Sequence, residues 1–66
     1  MEFTKLLETE KSLTNHSYVL GNDGSDHKPY YVELRKNDNM EEIDFFDDLE
    51  KALKWFNIRR TTLTVK

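Results

Sequence analysis

The residues of this chain with the clearest capacity for chemistry are carboxylates. The sequence has 13 Asp and Glu residues, and more than half of them fall in residues 38–50, which contain no Lys or Arg. They are Asp38, Glu41, Glu42, Asp44, Asp47, Asp48 and Glu50. Such a cluster can attract the Lys and Arg side chains of another protein, or it can serve only to keep a surface soluble. Composition alone leaves both interpretations open.

Other kinds of chemistry are not indicated. The chain has no Cys and only 2 Gly, and it contains no nucleophile-elbow or phosphate-loop motif. His16 and His27 lie near Asp23 and Asp26 in the sequence, but their spacing matches no zinc pattern, and residues 22–26 lack the alternation and distal Glu of a calcium loop. We therefore predict no enzyme activity, no metal site and no cofactor.

Length and composition predict a single small domain spanning residues 1–66. The absence of Cys favours a reducing compartment. The N-terminal residues include acids and no apolar run, and no stretch approaches the length of a membrane span. We expect a cytoplasmic protein with no membrane partner.

The carboxylates must be positioned by regular structure, and two stretches have the two-residue period of a strand. Residues 30–35 place Tyr30, Val32 and Leu34 on one side. Residues 41–46 place Ile43 and Phe45 on one side, opposite Glu42, Asp44 and Phe46. Residues 36–39 between them favour a turn, because Asn and Asp tolerate left-handed backbone. The pattern predicts a hairpin.

A short amphipathic helix is predicted to follow the hairpin. Asp47 or Asp48 is its N-cap, with Glu50 at capping-box distance from Asp47, and Asn57 is its C-cap. Its apolar positions have helical spacing; they are Leu49, Ala52, Leu53 and Phe56. We expect this stripe to be buried against Val32, Leu34, Ile43 and Phe45. Residues 61–65 are predicted to form a last strand with Leu63 and Val65 inward.

The first half of the chain is less clearly patterned. Residues 2–13 fit either a helix or a strand, and Thr4, Thr9 and Thr14 favour the strand. Residues 17–20 indicate a second strand that runs into a turn at residues 21–24. The predicted fold class is α+β, a small antiparallel sheet of about four strands with one amphipathic helix packed on it.

The geometry of a strand arranges the clustered carboxylates in a row. Glu42 and Asp44 lie on the same strand face about 6.6 Å apart, and Asp47, Asp48 and Glu50 continue the row at the helix start. This row has the length scale of a phosphate backbone. Phe46, on the same outward face, is predicted to serve as an apolar anchor among the acids at a protein interface.

The stretch at residues 37–48, together with the Cys-free, Asn-, Asp- and Lys-rich composition, resembles the small acidic host-takeover proteins of bacteriophages. Within that group it is similar to the DNA-mimic inhibitors that bind the nucleoid protein HU. The resemblance implies a non-enzymatic inhibitor that blocks the DNA-binding surface of an HU-like bacterial protein. It implies no catalysis and no cofactor.

Two other functions fit the same sequence. The acidic face could inhibit a host RNA polymerase or another host enzyme. Alternatively, a small nucleic-acid-binding regulatory module could use Arg35, Lys36, Arg59 and Arg60 for phosphates and aromatic side chains for bases. The sequence pI of about 5.3 argues against direct nucleic-acid binding. A homodimer is also possible, through edge strands and surface aromatics such as Tyr31.

Overall fold

A computed structural model describes residues 3–63. Four strands come first, β1 (Thr4–Glu8), β2 (His16–Asn22), β3 (Tyr30–Lys36) and β4 (Asn39–Phe46). The helix α1 (Leu49–Arg60) and one 3-10 turn (Thr61–Leu63) follow. The strands form one antiparallel sheet in the order β1-β2-β3-β4. The α+β fold class is confirmed, and the strand interpretation of the N-terminal segment is confirmed for Thr4–Glu8.

The hairpin between β3 and β4 closes through a two-residue turn. Asn37 and Asp38 have φ angles of 54° and 68°, and Lys36 pairs with Asn39 across the turn. Two consecutive residues with positive φ give the turn the twist that matches the flanking strands, and Asn and Asp accept this backbone readily. The turn predicted from these residues is confirmed.

The core lies between the sheet and one side of α1. Tyr18, Leu20 and Val32 from the sheet are buried against Ala52 and Phe56 from the helix. Six partly buried side chains surround them; they are Tyr30, Leu34, Phe46, Leu53, Trp55 and Leu63. The expected burial of Val32, Ala52 and Phe56 is confirmed. Leu49 is exposed, contrary to the prediction, because it begins the helix beyond the margin of the core.

Ile43 and Phe45 were predicted to lie beneath the helix, and this is wrong. In the observed register Val32 pairs with Asp44 and Tyr31 with Phe45. Paired residues share a face, so Ile43 and Phe45 point away from the helix. The cause is a shift in register between Leu34 and Arg35, where β4 has one extra residue at Glu41. One extra residue exchanges the two faces of the rest of the strand.

The C-terminal end of the helix also differs from the prediction. The helix continues past Asn57 to Arg60, so Asn57 is not its C-cap. The hydroxyl groups of Thr61 and Thr62 donate hydrogen bonds to the carbonyl oxygens of Ile58 and Arg59, at 2.7 Å each. These bonds satisfy carbonyls that the helix leaves free and favour a 3-10 turn over the predicted strand. Val65 lies outside the described residues.

The sheet face opposite the helix includes a buried aromatic side chain. Tyr31 was predicted to be a surface residue, but it is buried. Its ring extends over Gly21 of the neighbouring strand, and a Cβ atom at Gly21 would meet the Tyr31 hydroxyl and lie 2.7 Å from the carbonyl oxygen of Thr4. The Phe3 ring packs beside Tyr31 at 5.6 Å between centroids. Glycine at position 21 thus makes room for Tyr31.

Alkaline pH should destabilise the protein through Tyr31. Burial raises the pKa of its hydroxyl above the ordinary value of 10.0, and the Glu33 and Asp23 carboxylates raise it further. Above pH 10 the unfolded chain releases this proton while the folded chain retains it, so the free energy of unfolding falls as pH rises. Urea unfolding between pH 8 and pH 11 should show a smaller decline for Tyr31→Phe than for the wild type. The variant Tyr30→Phe, which keeps Tyr31, should decline as the wild type does; equal declines in all three proteins would contradict the assignment.

Candidate protein-binding interface

The seven clustered carboxylates lie along one margin of the molecule, which we name the acidic edge. It comprises Asp38, Glu41, Glu42, Asp44, Asp47, Asp48 and Glu50, and all seven residues are exposed. Asp38 lies in the turn before β4, three of the acids lie in β4, and the others span the link to α1 and its first turn. Because β4 is the last strand of the sheet, its outer edge pairs with no other strand of the described residues.

Two of the three acids of β4, Glu42 and Asp44, point towards the helix side of the sheet. Glu42 pairs with Leu34 and Asp44 pairs with Val32, and both of these β3 residues face the helix. The helix packs mainly across β2 and β3, so the acids of β4 remain uncovered beside it. The register shift at Glu41 is the cause of this arrangement, since without it the even-numbered acids would lie on the opposite face.

Lys, Arg or His side chains lie near four of the seven carboxylates, and three of these four neighbours are Lys or Arg. Lys11 is 3.4 Å from Asp38, and Lys51 is 3.4 Å from Asp47. Two more pairs are longer: His16 to Glu41 at 3.6 Å and Arg59 to Glu42 at 3.8 Å. Within residues 3–63, no cationic nitrogen lies within 4.0 Å of Asp44, Asp48 or Glu50. The acidic edge is therefore partly neutralised by the rest of the fold.

Asp48 and Asp47 have different structural roles. Asp48 is the N-cap of α1, with extended backbone, and its side chain accepts a hydrogen bond from the Glu50 backbone N–H at 3.3 Å. Of the two candidates for the cap, Asp48 is thus the correct one. Asp47 precedes the cap and pairs with Lys51 on the helix surface.

Replacing the two aspartates separately should distinguish these roles. Asp48→Ala removes the acceptor for a helix N–H and should lower the free energy of unfolding by about 1 kcal/mol. Asp47→Ala removes only an exposed ion pair and should change it by roughly 0.5 kcal/mol or less. Urea denaturation followed by circular dichroism measures both. An equal loss in the two variants would rule out Asp48 as the functional cap.

Phe46 was predicted to be an outward-facing apolar anchor among the acids, and its orientation in the structure is different. Its side chain is partly buried and packs against the core beneath the helix. It follows Asp44 on the same strand face, but that face is the helix side of the sheet, where Phe46 pairs with Tyr30. The exposed aromatic of β4 is Phe45. Phe46 is therefore a core residue.

Arg59 has a structural role that was not predicted from the sequence. Its Nε atom donates a hydrogen bond to the Tyr18 hydroxyl at 3.2 Å, and its guanidinium lies over the Trp55 ring at 5.4 Å. Arg35 is similarly engaged, with Glu33 at 2.8 Å and the Asp38 carbonyl at 2.6 Å. The spacing of four residues between Trp55 and Arg59 on the helix was the available signal. These contacts weaken the case for Arg35 and Arg59 as phosphate ligands.

The polar loop between β2 and β3 is organised by its own hydrogen bonds. The Asn22 side chain accepts from the Gly24 N–H at 2.6 Å, and the buried Asp23 carboxylate accepts from the Ser25 N–H at 2.9 Å. Asn and Asp form such turns readily. Residues 3–63 contain no group of three or more His, Cys, Asp or Glu side chains placed to hold a metal ion.

Comparison of the chain with family models, with curated proteins and with solved structures finds no match in any of the three. Among the described residues, no helix has the length and apolar composition needed to cross a membrane.

Proposed function

We propose that this protein is a non-enzymatic inhibitor that presents its acidic edge to the DNA-binding surface of a bacterial nucleoid-associated protein of the HU type. The acidic edge acts as a substitute for DNA phosphates and competes with the duplex. The observation on which this proposal rests is the position of β4, an edge strand whose helix-side acids are exposed and uncovered.

The internal ion pairs of the acidic edge are compatible with this role. The carboxylates of Asp38, Glu42 and Asp47 are more than half exposed, and their cationic neighbours lie 3.4 to 3.8 Å away. Exposed ion pairs of this kind contribute only about 0–1 kcal/mol each. A partner with closely spaced Lys and Arg side chains can therefore replace the internal cations at little cost.

Charge distribution favours a basic protein partner over a nucleic acid. The formal net charge is -3, and two of the four cations that could bind phosphates, Arg35 and Arg59, are engaged within the fold. A phosphate backbone would meet repulsion at the acidic edge, whereas a protein with a basic DNA-binding surface would be attracted and steered to it.

Affinity capture from a bacterial lysate tests the proposal. The immobilised protein is incubated with lysate that has or has not been treated with nuclease. An abundant basic DNA-binding protein should be retained in both cases, because the contact needs no nucleic acid. Retention that disappears after nuclease treatment would contradict the proposal and favour a module that binds nucleic acid directly.

A further inference from the structure

The sheet face opposite α1, which we name the open face, has no covering layer among the described residues. Its apolar members are Phe3, Val19, Tyr31, Met40, Ile43 and Phe45. Val19 and Tyr31 are buried within the single chain, but Phe3 is 66% exposed, Met40 52% and Phe45 44%. An exposed patch of large apolar side chains on a small protein indicates an interaction surface.

The aromatic side chains of the open face form a row across the sheet. Tyr31 pairs with Phe45 on the adjacent strand and contacts the Phe3 ring on its other side. The buried Tyr31 thus lies between two exposed aromatic side chains, Phe3 and Phe45. Rigid aromatic groups of this kind contribute most of the binding energy in many protein interfaces.

Two ion pairs lie on the open face. Lys5 lies 2.6 Å from Glu8, and Arg35 lies 2.8 Å from Glu33, so these four side chains have no net charge. A two-fold symmetric contact places a surface against itself. These two ion pairs add no net charge to the open face, so they do not oppose its contact with a second copy of the chain.

The free edge of β4 is much less suited to contact between two copies. Antiparallel pairing of two β4 strands would bring the carboxylates of Glu42 and Asp44 close to their own equivalents. Like charges across a strand pair destabilise it, and charged edge strands are one way in which proteins prevent such pairing. The open face is therefore better suited to self-association than the edge of β4.

Size gives an independent reason for a second layer on the sheet. The main core contains only five buried side chains, and the chain has no Cys for disulfide bonds. Domains of this length commonly gain stability from disulfides, metals or oligomerisation. A typical interface removes about 800 Å² from each partner, roughly a sixth of the accessible surface of 4790 Å².

We propose that the open face is a homodimer interface, in which two copies pack their sheets face to face through Phe3, Tyr31 and Phe45. Glu42 and Asp44 of each copy stay accessible in this arrangement, since they lie at the sheet margin and point to the helix side. The dimer does not depend on the function proposed for the acidic edge.

Aromatic side chains on an open sheet also stack with the bases of single-stranded nucleic acids. The open face is less suited to that role, because its two cations are paired with Glu8 and Glu33 and leave no net positive charge for phosphates. Binding of a single-stranded oligonucleotide is therefore the competing outcome in the test.

Sedimentation velocity over a range of concentrations tests the dimer. The wild type should sediment as a dimer, and Phe45→Glu should raise the dissociation constant about tenfold or more. Met40→Glu, at a second exposed position of the open face, should act in the same direction. Ile58→Glu, at an exposed position on the outer side of α1, should leave the dimer intact. Circular dichroism spectra of the three variants establish that each is folded.

Three results would overturn the proposal. The first is a wild type that stays monomeric at all accessible concentrations. The second is a dimer that survives both substitutions on the open face, or that is lost only in Ile58→Glu. The third is a monomer that binds a fluorescent single-stranded oligonucleotide in a Phe45-dependent manner, which would assign the open face to nucleic acid.

Discussion

Phe56→Ala should destabilise the protein by about 3–5 kcal/mol, the largest effect expected of any single truncation in the core. Phe56 is 2% exposed and is one of the two largest fully buried side chains; it packs against Leu20 and Val32 in the core. A domain of this length has a total stability of roughly 3–10 kcal/mol. The variant should therefore be largely unfolded, or close to it, at 25 °C.

Urea unfolding monitored by circular dichroism measures this effect, and Ile58 provides the matched control. Ile58 lies two residues further along the same helix and is 51% exposed. Ile58→Ala should change the free energy of unfolding by about 0.5 kcal/mol or less. If Phe56→Ala unfolded at the same urea concentration as Ile58→Ala, the core described between α1 and the sheet would be wrong.

Removing charge from the acidic edge should have the largest effect on partner binding. The triple variant Glu42→Gln, Asp44→Asn and Asp47→Asn retains the shape of the side chains and leaves the Asp48 cap in place. If each carboxylate contributes about 1 kcal/mol at the contact, affinity for a basic partner should fall about a hundredfold. Isothermal titration calorimetry with a purified HU-type protein measures the loss.

A second triple variant separates local charge from overall charge. Glu8→Gln, Glu10→Gln and Asp26→Asn remove the same number of negative charges at positions outside residues 38–50. This control should bind with nearly the wild-type affinity, apart from a modest decrease in association rate at low salt. Equal losses in the two variants would mean that only net charge matters and that the acidic edge is not a specific site.

Arg59 is unsuitable as a test of direct nucleic-acid binding. Its contacts with Tyr18, Trp55 and Glu42 mean that a substitution would disturb packing as well as charge. Lys36 and Arg60 are better choices, because both are exposed and no carboxylate among residues 3–63 lies within 4.0 Å of either. The pair Lys36→Ala and Arg60→Ala should leave binding to a basic protein unchanged.

Local patterns in the sequence were sufficient to predict most of the secondary structure. The alternation in residues 30–35 and 41–46, the Asn37-Asp38 turn and the helix that follows are all found in the structure. These features depend on the intrinsic conformations of neighbouring residues and on the period of apolar side chains. The exposure of the seven acids followed from the same patterns.

The assignment of strand faces could not be predicted in the same way. The alternation of side chains within β4 was predicted correctly. The extra residue at Glu41, however, determines which of the two alternating sets of side chains faces the helix. A β-bulge depends on the pairing of two strands and leaves little trace in local sequence. For this reason Phe46 was predicted to be a surface anchor and Ile43 and Phe45 to be core residues, whereas Phe46 lies on the helix side of the sheet and Ile43 and Phe45 lie on the opposite side.

Contacts between residues that are far apart in the chain also could not be predicted from the sequence. The ion pairs of Lys11 with Asp38 and of Arg59 with Glu42 join residues that are far apart in the chain. The stretch from residue 38 to residue 50 has no Lys or Arg in sequence, yet the fold brings cations to it. Local composition describes a segment, whereas the electrostatics of a surface depend on every element packed around it.

If the proposed function is correct, the acidic edge and duplex DNA occupy the same surface of a basic partner. Fluorescence anisotropy of a labelled duplex bound to an HU-type nucleoid protein, titrated with this protein, measures that competition directly. We expect that the duplex is displaced completely, that the acidic-edge triple variant fails to displace it, and that added salt weakens the displacing complex steeply. A ternary complex in which the anisotropy stays high at saturating protein would contradict the proposed competition.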